Sequence, residues 1–206
     1  MRKDDAIRII TDCAKLYHEN LVNKNLLFVF GTTNDLRYFE SIFLAQNFTH
    51  LTGVILNNGI DNKEFYNKCI GRNLSFSDFD LRKDGTSKMR LLVLTQVMNI
   101  HKTAKMAGDY NHNRLKLSTK KVAGGVHACL GFTSAKENPG FYVPNTVLNE
   151  NIQNVSTKPV HRLLAILRKT VEDERYNISS HVYLAKNIDF ELILKNEGIK
   201  HRTYCR

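Results

Sequence analysis

The 206-residue chain has no tryptophan, only three prolines (Pro139, Pro144, Pro159) and only four cysteines. Cys13, Cys69, Cys129 and Cys205 form no C-x-x-C pair and no cluster of cysteines and histidines. Structural zinc sites need clustered thiolates and imidazoles, so the spacing argues against a zinc ribbon or finger. Scattered cysteines in a chain of this size read as reduced thiols, mostly buried. No apolar run approaches the roughly 20 residues that span a bilayer. The opening "MRKDDAIRIITDCAK" is charged and lacks the apolar core of a signal peptide. The expectation is a cytoplasmic protein with no membrane partner.

Low-complexity tracts and repeats are absent too, and 42% of the residues are hydrophobic. That suits a single globular domain over residues 1–206, with its core in about 26–186. Phosphate-cradling G-x-x-x-x-G-K-[ST], dinucleotide-binding G-x-G-x-x-G, metalloprotease H-E-x-x-H, the EF-hand loop and the G-x-S-x-G elbow are all missing. "SDFDLRKD" (77–84) brings Asp78, Asp80 and Asp84 close in sequence, which leaves open a metal-dependent nuclease. Turn residues surround them, and such a cluster is usually a solvated loop.

What the chain does have is positive charge. Its formal balance is +10, split as +3 over residues 1–103 and +7 over 104–206. A basic excess concentrated in one half favours a polyanionic partner, most simply RNA or DNA.

Hydrophobic periodicity gives the elements. Ala6, Ile9, Ile10, Cys13, Leu16, Tyr17 and Leu21 form an i, i+3, i+4, i+7 stripe, which predicts a helix from Asp4 or Asp5 to about Val22. "LLFVFG" (26–31) and "RYFESIFL" (37–44) read as strands, and 47–55 as a third extended segment. A polar helix is expected over 61–70 and a longer one from Ser87 through "KMRLLVLTQVMNIHKTAKM" (88–106). Strands then follow at 114–118, 125–132, 140–144, 161–169 and 180–186, and a final helix at 189–196. Helices first and strands later describe an α+β fold with a mainly antiparallel sheet of four to six strands.

The polar side chains on that sheet would suffice for metal-free RNA cleavage with no cofactor. A 2′-OH must lose a proton, a phosphorane must be neutralised and the 5′-oxygen must regain a proton; His, Lys and Arg can meet these needs. In an extended "NFTHLTGV" (47–54), His50 and Thr52 share one face about 7 Å apart, within reach of one phosphodiester. "RLKLSTKK" (114–121) puts Lys116, Ser118 and Lys120 opposite Leu115 and Leu117, a face open to a ligand or merely solvated. Arg168 and Lys169 emerge at the end of the 161–169 strand. In "SHVYLAK", His181 and Tyr183 share a face. His18, His101, His112, His127, His161 and His201 show no common pattern.

Several segments occur together in order: "FTHLTGV" (48–54), "MNIHKTAKMAGDYN" (98–111), "LSTKKVAGGVHACLGF" (117–132), "FYVPNTVLNENI" (141–152) and "YLAKN" (183–187). The series resembles a subfamily of the phage-associated barnase–EndoU–colicin–RelE-like nucleases of Gram-positive mobile elements, over roughly residues 28–186. The resemblance implies N-terminal helices followed by an antiparallel sheet. It also implies a metal-independent endoribonuclease that leaves a 2′,3′-cyclic phosphate, acts as a toxin or effector on RNA such as tRNA or mRNA, and has an immunity or antitoxin protein as partner. Carried onto this sequence, the resemblance picks out His50, Thr52, Lys105, Tyr110, Lys121, Asn145, Thr146 and Tyr183; together with the strand reading, the catalytic candidates are His50, Thr52, Lys121, Arg168 and Tyr183. The nucleic-acid-binding candidates are Lys105, Tyr110, Arg114, Lys116, Ser118, Lys120, Asn145, Thr146 and Lys169. No metal ligand is expected, and "EGIKHRTYCR" (197–206) reads as a basic tail. The alternative is a non-catalytic module that binds nucleic acid or protein.

Overall fold

The computed structural model describes residues 1–113 and 117–205. α1 (Lys3–Asn20) leads into the antiparallel pair β1 (Lys24–Gly31) and β2 (Leu36–Ile42). A helical layer follows: α2 (Asn47–Thr52), α3 (Asn62–Ile70), α4 (Thr86–Met98) and α5 (Ile100–Thr103), with the short strands β3 (Ile55–Leu56) and β4 (Phe79–Asp80) paired between them. The chain then runs through β5 (Met106–Asp109), β6 (Lys121–Gly124), β7 (Cys129–Ser134), β8 (Phe141–Leu148), α6 (Ile152–Val155) and β9 (His161–Thr170). It ends with β10 (Tyr176–Asn177), β11 (His181–Leu184), α7 (Phe190–Leu194), α8 (Glu197–Lys200) and β12 (Thr203–Tyr204).

The fold is α+β, as expected, but the main sheet has eight strands in the order β1-β2-β8-β7-β6-β5-β9-β11. Because β1 also pairs with β9, seven of them close into a ring and β11 branches off β9. Every pairing in this sheet is antiparallel except β2 with β8. Closure leaves few open ladder edges.

The extra strands come from two corrected expectations. The helix expected over 88–106 stops at Asn99, resumes for one turn as α5, and gives way to β5. The strand expected at 125–132 is the second arm of a hairpin, β6–β7, whose turn is closed by Gly125 N–H donating to the Ala128 carbonyl at 3.0 Å. The strand expected at 114–118 falls partly outside the described residues, and Leu117 and Ser118 are not in a strand.

One face of the ring packs against the helices. Ala6, Ile10, Cys13, Ala14 and Tyr17 of α1 are buried as the stripe predicts, so the core begins well before residue 26. Phe28, Phe39 and Phe132 meet across β1, β2 and β7, with ring centroids 4.7, 5.2 and 5.6 Å apart. Each such fully buried side chain is worth about 1.5–3 kcal/mol relative to exposure.

The opposite face of β1 and β9 is covered by the C-terminal segment, where Tyr176, Ile178, Ile193 and Ile199 pack on Leu27, Val29, Leu164, Ala165 and Leu167. Residues 197–205 are therefore not a free basic tail. α8 caps this second core, β12 pairs with β10, and Arg202 Nε lies 3.2 Å from the Glu40 carboxylate. Among the described residues no helix is long and apolar enough to cross a membrane.

Candidate active site

His50 stands on a helix, not on a strand. Residues 47–52 make α2, in which Asn47, Phe48, Thr49, Leu51 and Thr52 are buried and His50 is exposed. Gly53 ends the helix at φ +69°, with its N–H donating to the Thr49 carbonyl at 3.3 Å. A glycine just past the last turn is the usual left-handed helix stop. The shared strand face of His50 and Thr52 is therefore wrong. Thr52 is fully buried, and its hydroxyl donates to the Thr49 carbonyl at 2.8 Å, so it cannot orient a substrate phosphate.

The C-terminal end of α2 is gripped by two arginines. Arg90 of α4 donates from Nη1 to the His50 carbonyl, and Arg82 donates from Nε to the Gly53 carbonyl at 3.1 Å. Ser87 Oγ adds a 2.7 Å bond to the same Gly53 oxygen and accepts the Arg82 N–H at 2.9 Å. Unsatisfied carbonyls at a helix end carry partial negative charge, so guanidinium groups are favoured there. Gly53 is required for this approach: a Cβ would sit 2.7 Å from Arg90 Cδ.

These residues form one wall of a cavity of about 720 Å³. The opposite wall is the end of β8, with Asn145, Thr146 and Val147, followed by Asn149 and Glu150. The Asn145 amide is held at both ends, accepting from Thr119 Oγ1 at 3.3 Å and donating to Ser118 Oγ at 3.2 Å. Thr146 Oγ1 is buried without a hydrogen-bond partner. Gly131 makes room for this wall, since a Cβ there would lie 2.6 Å from Thr146 Cγ2 and 2.9 Å from Thr119 Cγ2.

The electrostatics follow from this packing. Partial burial and then the positive charge of Arg90 push the His50 pKa below its ordinary 6.5, so the imidazole is neutral near pH 7 and can accept a proton. The Arg90 guanidinium loses hydration in its pocket, which pushes its own pKa down. Asp84, also at the cavity, is held below the usual carboxylate range by hydrogen bonds from Thr86 and by the charges of Arg82 and Arg90. A neutral imidazole, two fixed guanidiniums, an oriented amide and a hydroxyl thus surround an open cleft.

The remaining candidates lie elsewhere. Of the sequence candidates, His50, Asn145 and Thr146 line the cavity, and Ser118 reaches it through Asn145. Lys121, Arg168 and Tyr183 do not line it. Lys121 is paired with Asp109 across β5 and β6 at 2.6 Å. Lys105 sits over the Tyr183 ring, 4.4 Å from its centroid. Lys169 donates to the carbonyls of Asp173 and Glu174, which fixes the turn after β9. Tyr110 is buried in a small cluster with Val122, Cys129, Ile152 and Val155. Lys120 is exposed, whereas Arg114 and Lys116 lie outside the described residues.

Arg82 and Arg90 were missed by the sequence reading. Arg90 lies within the helix expected from Ser87, where sequence alone gives one charge on a helix no special role. The three aspartates also separate. Asp78 accepts from Ser75 N–H and Lys68, Asp80 from Lys3 and Asn57, and Asp84 from Thr86 N–H. Among the described residues no three His, Cys, Asp or Glu side chains are grouped to hold a metal ion.

An α+β domain with a histidine-bearing cleft over a curved sheet is thus defined. The chain belongs to the family described as phage-Barnase-EndoU-ColicinE5/D-RelE like nuclease 4, which it matches over residues 9–185. No curated protein and no solved structure matches it.

Proposed function

We propose that this nuclease is a metal-independent endoribonuclease that cleaves RNA through 2′-OH attack in the cleft at the end of α2. His50 accepts the 2′-OH proton. The 2′-oxygen attacks the adjacent phosphorus, and the 5′-oxygen departs with a proton drawn from water at the open mouth, leaving a 2′,3′-cyclic phosphate. Arg82 and Arg90 supply fixed positive charge beside the phosphorane oxygens, where preorganised donors act most strongly. Asn145 and Thr146 hold the nucleotide on the opposite wall.

The observation that carries this reading is the position of His50. It is the one exposed side chain of an otherwise buried helix, neutral near pH 7, at a cleft bordered by two guanidiniums. The expected role is that of a phage or mobile-element effector. The test is incubation with total RNA, with and without EDTA. Cleavage that survives chelation and leaves cyclic-phosphate ends supports the proposal. Cleavage that EDTA abolishes, or RNA that is bound and left intact, overturns it.

A further inference from the structure

His101 is one of the buried polar groups outside the cleft that lack a hydrogen-bond partner. It lies on α5, is 1% exposed, and its Nδ1 has no hydrogen-bond partner. Buried polar atoms are nearly always paired, so this nitrogen has an open hydrogen-bonding position.

Its surroundings indicate which charge would fit there. β1 and β9 pair Leu26 with Arg168 and Lys24 with Thr170. Directly paired residues share a face, and alternation then puts Lys24 on that face beside Arg168. Tyr183 pairs with Ile166, the preceding residue on the same face of β9, and α5 packs against β11. Lys102 follows His101 on α5, and Lys105 bridges from the end of α5 to the Tyr183 ring. Lys102, Lys24 and Arg168 all act electrostatically on the imidazole, and burial and these cations together hold its pKa down at about 4.

The only carboxylate of the described residues that acts on these cations is that of Glu19, through Lys24, and the two form no ion pair. Among the described residues Lys102, Lys105 and Arg168 form no ion pair, and Lys24 donates to the Glu19 backbone carbonyl. Cations packed together without an anion repel one another unless one is bound.

We propose that the junction of α5, β9 and β11 is a phosphate-binding site, separate from the His50 cleft. Arg168 and Lys102 grip the oxyanion, Lys24 and Lys105 add charge, and the His101 imidazole supplies the buried hydrogen-bonding partner. A tetrahedral oxyanion with several oxygens suits converging cations better than a single carboxylate. The phosphate can be a diester of a polynucleotide backbone or the group of a free nucleotide. The inference needs no chemistry at His50.

The test is a titration of the intact protein with inorganic phosphate, following the imidazole ¹⁵N resonances of His101. Phosphate is expected to shift them, and Arg168→Gln to weaken binding by about 10-fold or more, as expected for a lost charge-assisted bond. Lys102→Gln, at an exposed position that should not disturb folding, should weaken it in the same direction. Displacement of phosphate by a short single-stranded RNA identifies a backbone diester. In that case the slope of log affinity against log salt falls by about 0.7 for each contact removed. Displacement by a mononucleotide and not by RNA identifies a free ligand. No shift at His101, or equal phosphate affinity in the parent and both variants, overturns the proposal.

Discussion

Two histidines, His50 and His101, sit among cations on short helices, and their surroundings are opposite. His50 is exposed over an open cleft, and the guanidiniums beside it are anchored to carbonyls at the end of α2. His101 is buried, its Nδ1 is unpaired, and of its neighbouring cations Lys102 and Arg168 form no ion pair among the described residues. Where charge is tied down by the fold, it is preorganised for a transition state that comes and goes. Where charge is left unbalanced, it is suited to holding an anion. The distinction lies in where the counter-dipoles are, not in how many lysines and arginines are near.

The harshest test of that contrast is to remove the imidazole from each region. General acid–base groups contribute about 10²–10⁴ in rate, so His50→Ala should lower RNA cleavage by that factor while circular dichroism stays unchanged. A variant that cuts as fast as the parent would remove His50 from the mechanism and erase the difference between the two regions.

Arg90 tests whether anchoring matters. Arg90→Ala should cost about 10²–10³ in kcat if the guanidinium stabilises the phosphorane. The same effect should be reachable without touching a charge. Gly53→Ala forces a Cβ against Arg90 Cδ at a left-handed φ, which costs about 1–2 kcal/mol in conformation alone and pushes the guanidinium off the helix end. Its thermal midpoint and its kcat should fall together.

The pH profile follows from the same contact. A base must be neutral to act, so activity falls as pH drops through the His50 pKa. Because that pKa lies below 6.5, the acid limb of kcat/KM should lie below pH 6.5. Arg90→Gln removes a positive neighbour, raises the His50 pKa and moves the limb upward. A limb that stays in place assigns the titration to another group.

His101 should show itself in stability instead. Its folded pKa of about 4 lies below the unfolded 6.5, so the unfolded chain takes up the proton first. Stability from keeping this imidazole neutral is full above pH 6.5, is lost as pH falls toward 4, and changes no further below that. Urea unfolding of His101→Leu should depend less on pH across this window than the parent does. An unchanged slope would show that the imidazole is not sealed as described.

Much of this was legible in the sequence, and the failures share one cause. The stripe of α1 and the apolar runs of β1 and β9 announce themselves because long amphipathic or buried segments have strong local periods. α2 does not, since six residues hold under two turns of helix, too few for Phe48 and Leu51 to establish a period. The decisive mark was Gly53 as a helix stop, and it was read as part of a strand. Ring closure through β1 and β9, and the convergence of Arg82, Arg90 and Asn145, depend on contacts between distant segments that no local period encodes. The expected cluster of Lys121, Arg168 and Tyr183 around His50 failed for the same reason. The residues are real features of the sheet, but closure puts Arg168 and Tyr183 together at the β9–β11 junction and Lys121 on β6, none of them at the His50 cleft. The sequence reading also passed over His101, because burial without a partner cannot be seen in one dimension.

Thr52 gives the smallest effect and the cleanest separation of structure from chemistry. It lies two residues from His50 on the same short helix, yet its hydroxyl is spent internally, donating to the Thr49 carbonyl at 2.8 Å and accepting from Val54 N–H at 3.4 Å. Thr52→Val keeps the branched shape and removes those bonds, which should lower the unfolding free energy by about 1 kcal/mol. kcat and KM on RNA should remain at parental values when measured well below the thermal midpoint. If Thr52→Val instead slows cleavage by an order of magnitude at full folding, the hydroxyl reaches substrate, α2 must open during turnover, and the rigid helix end assumed for Arg82 and Arg90 is not the state that reacts.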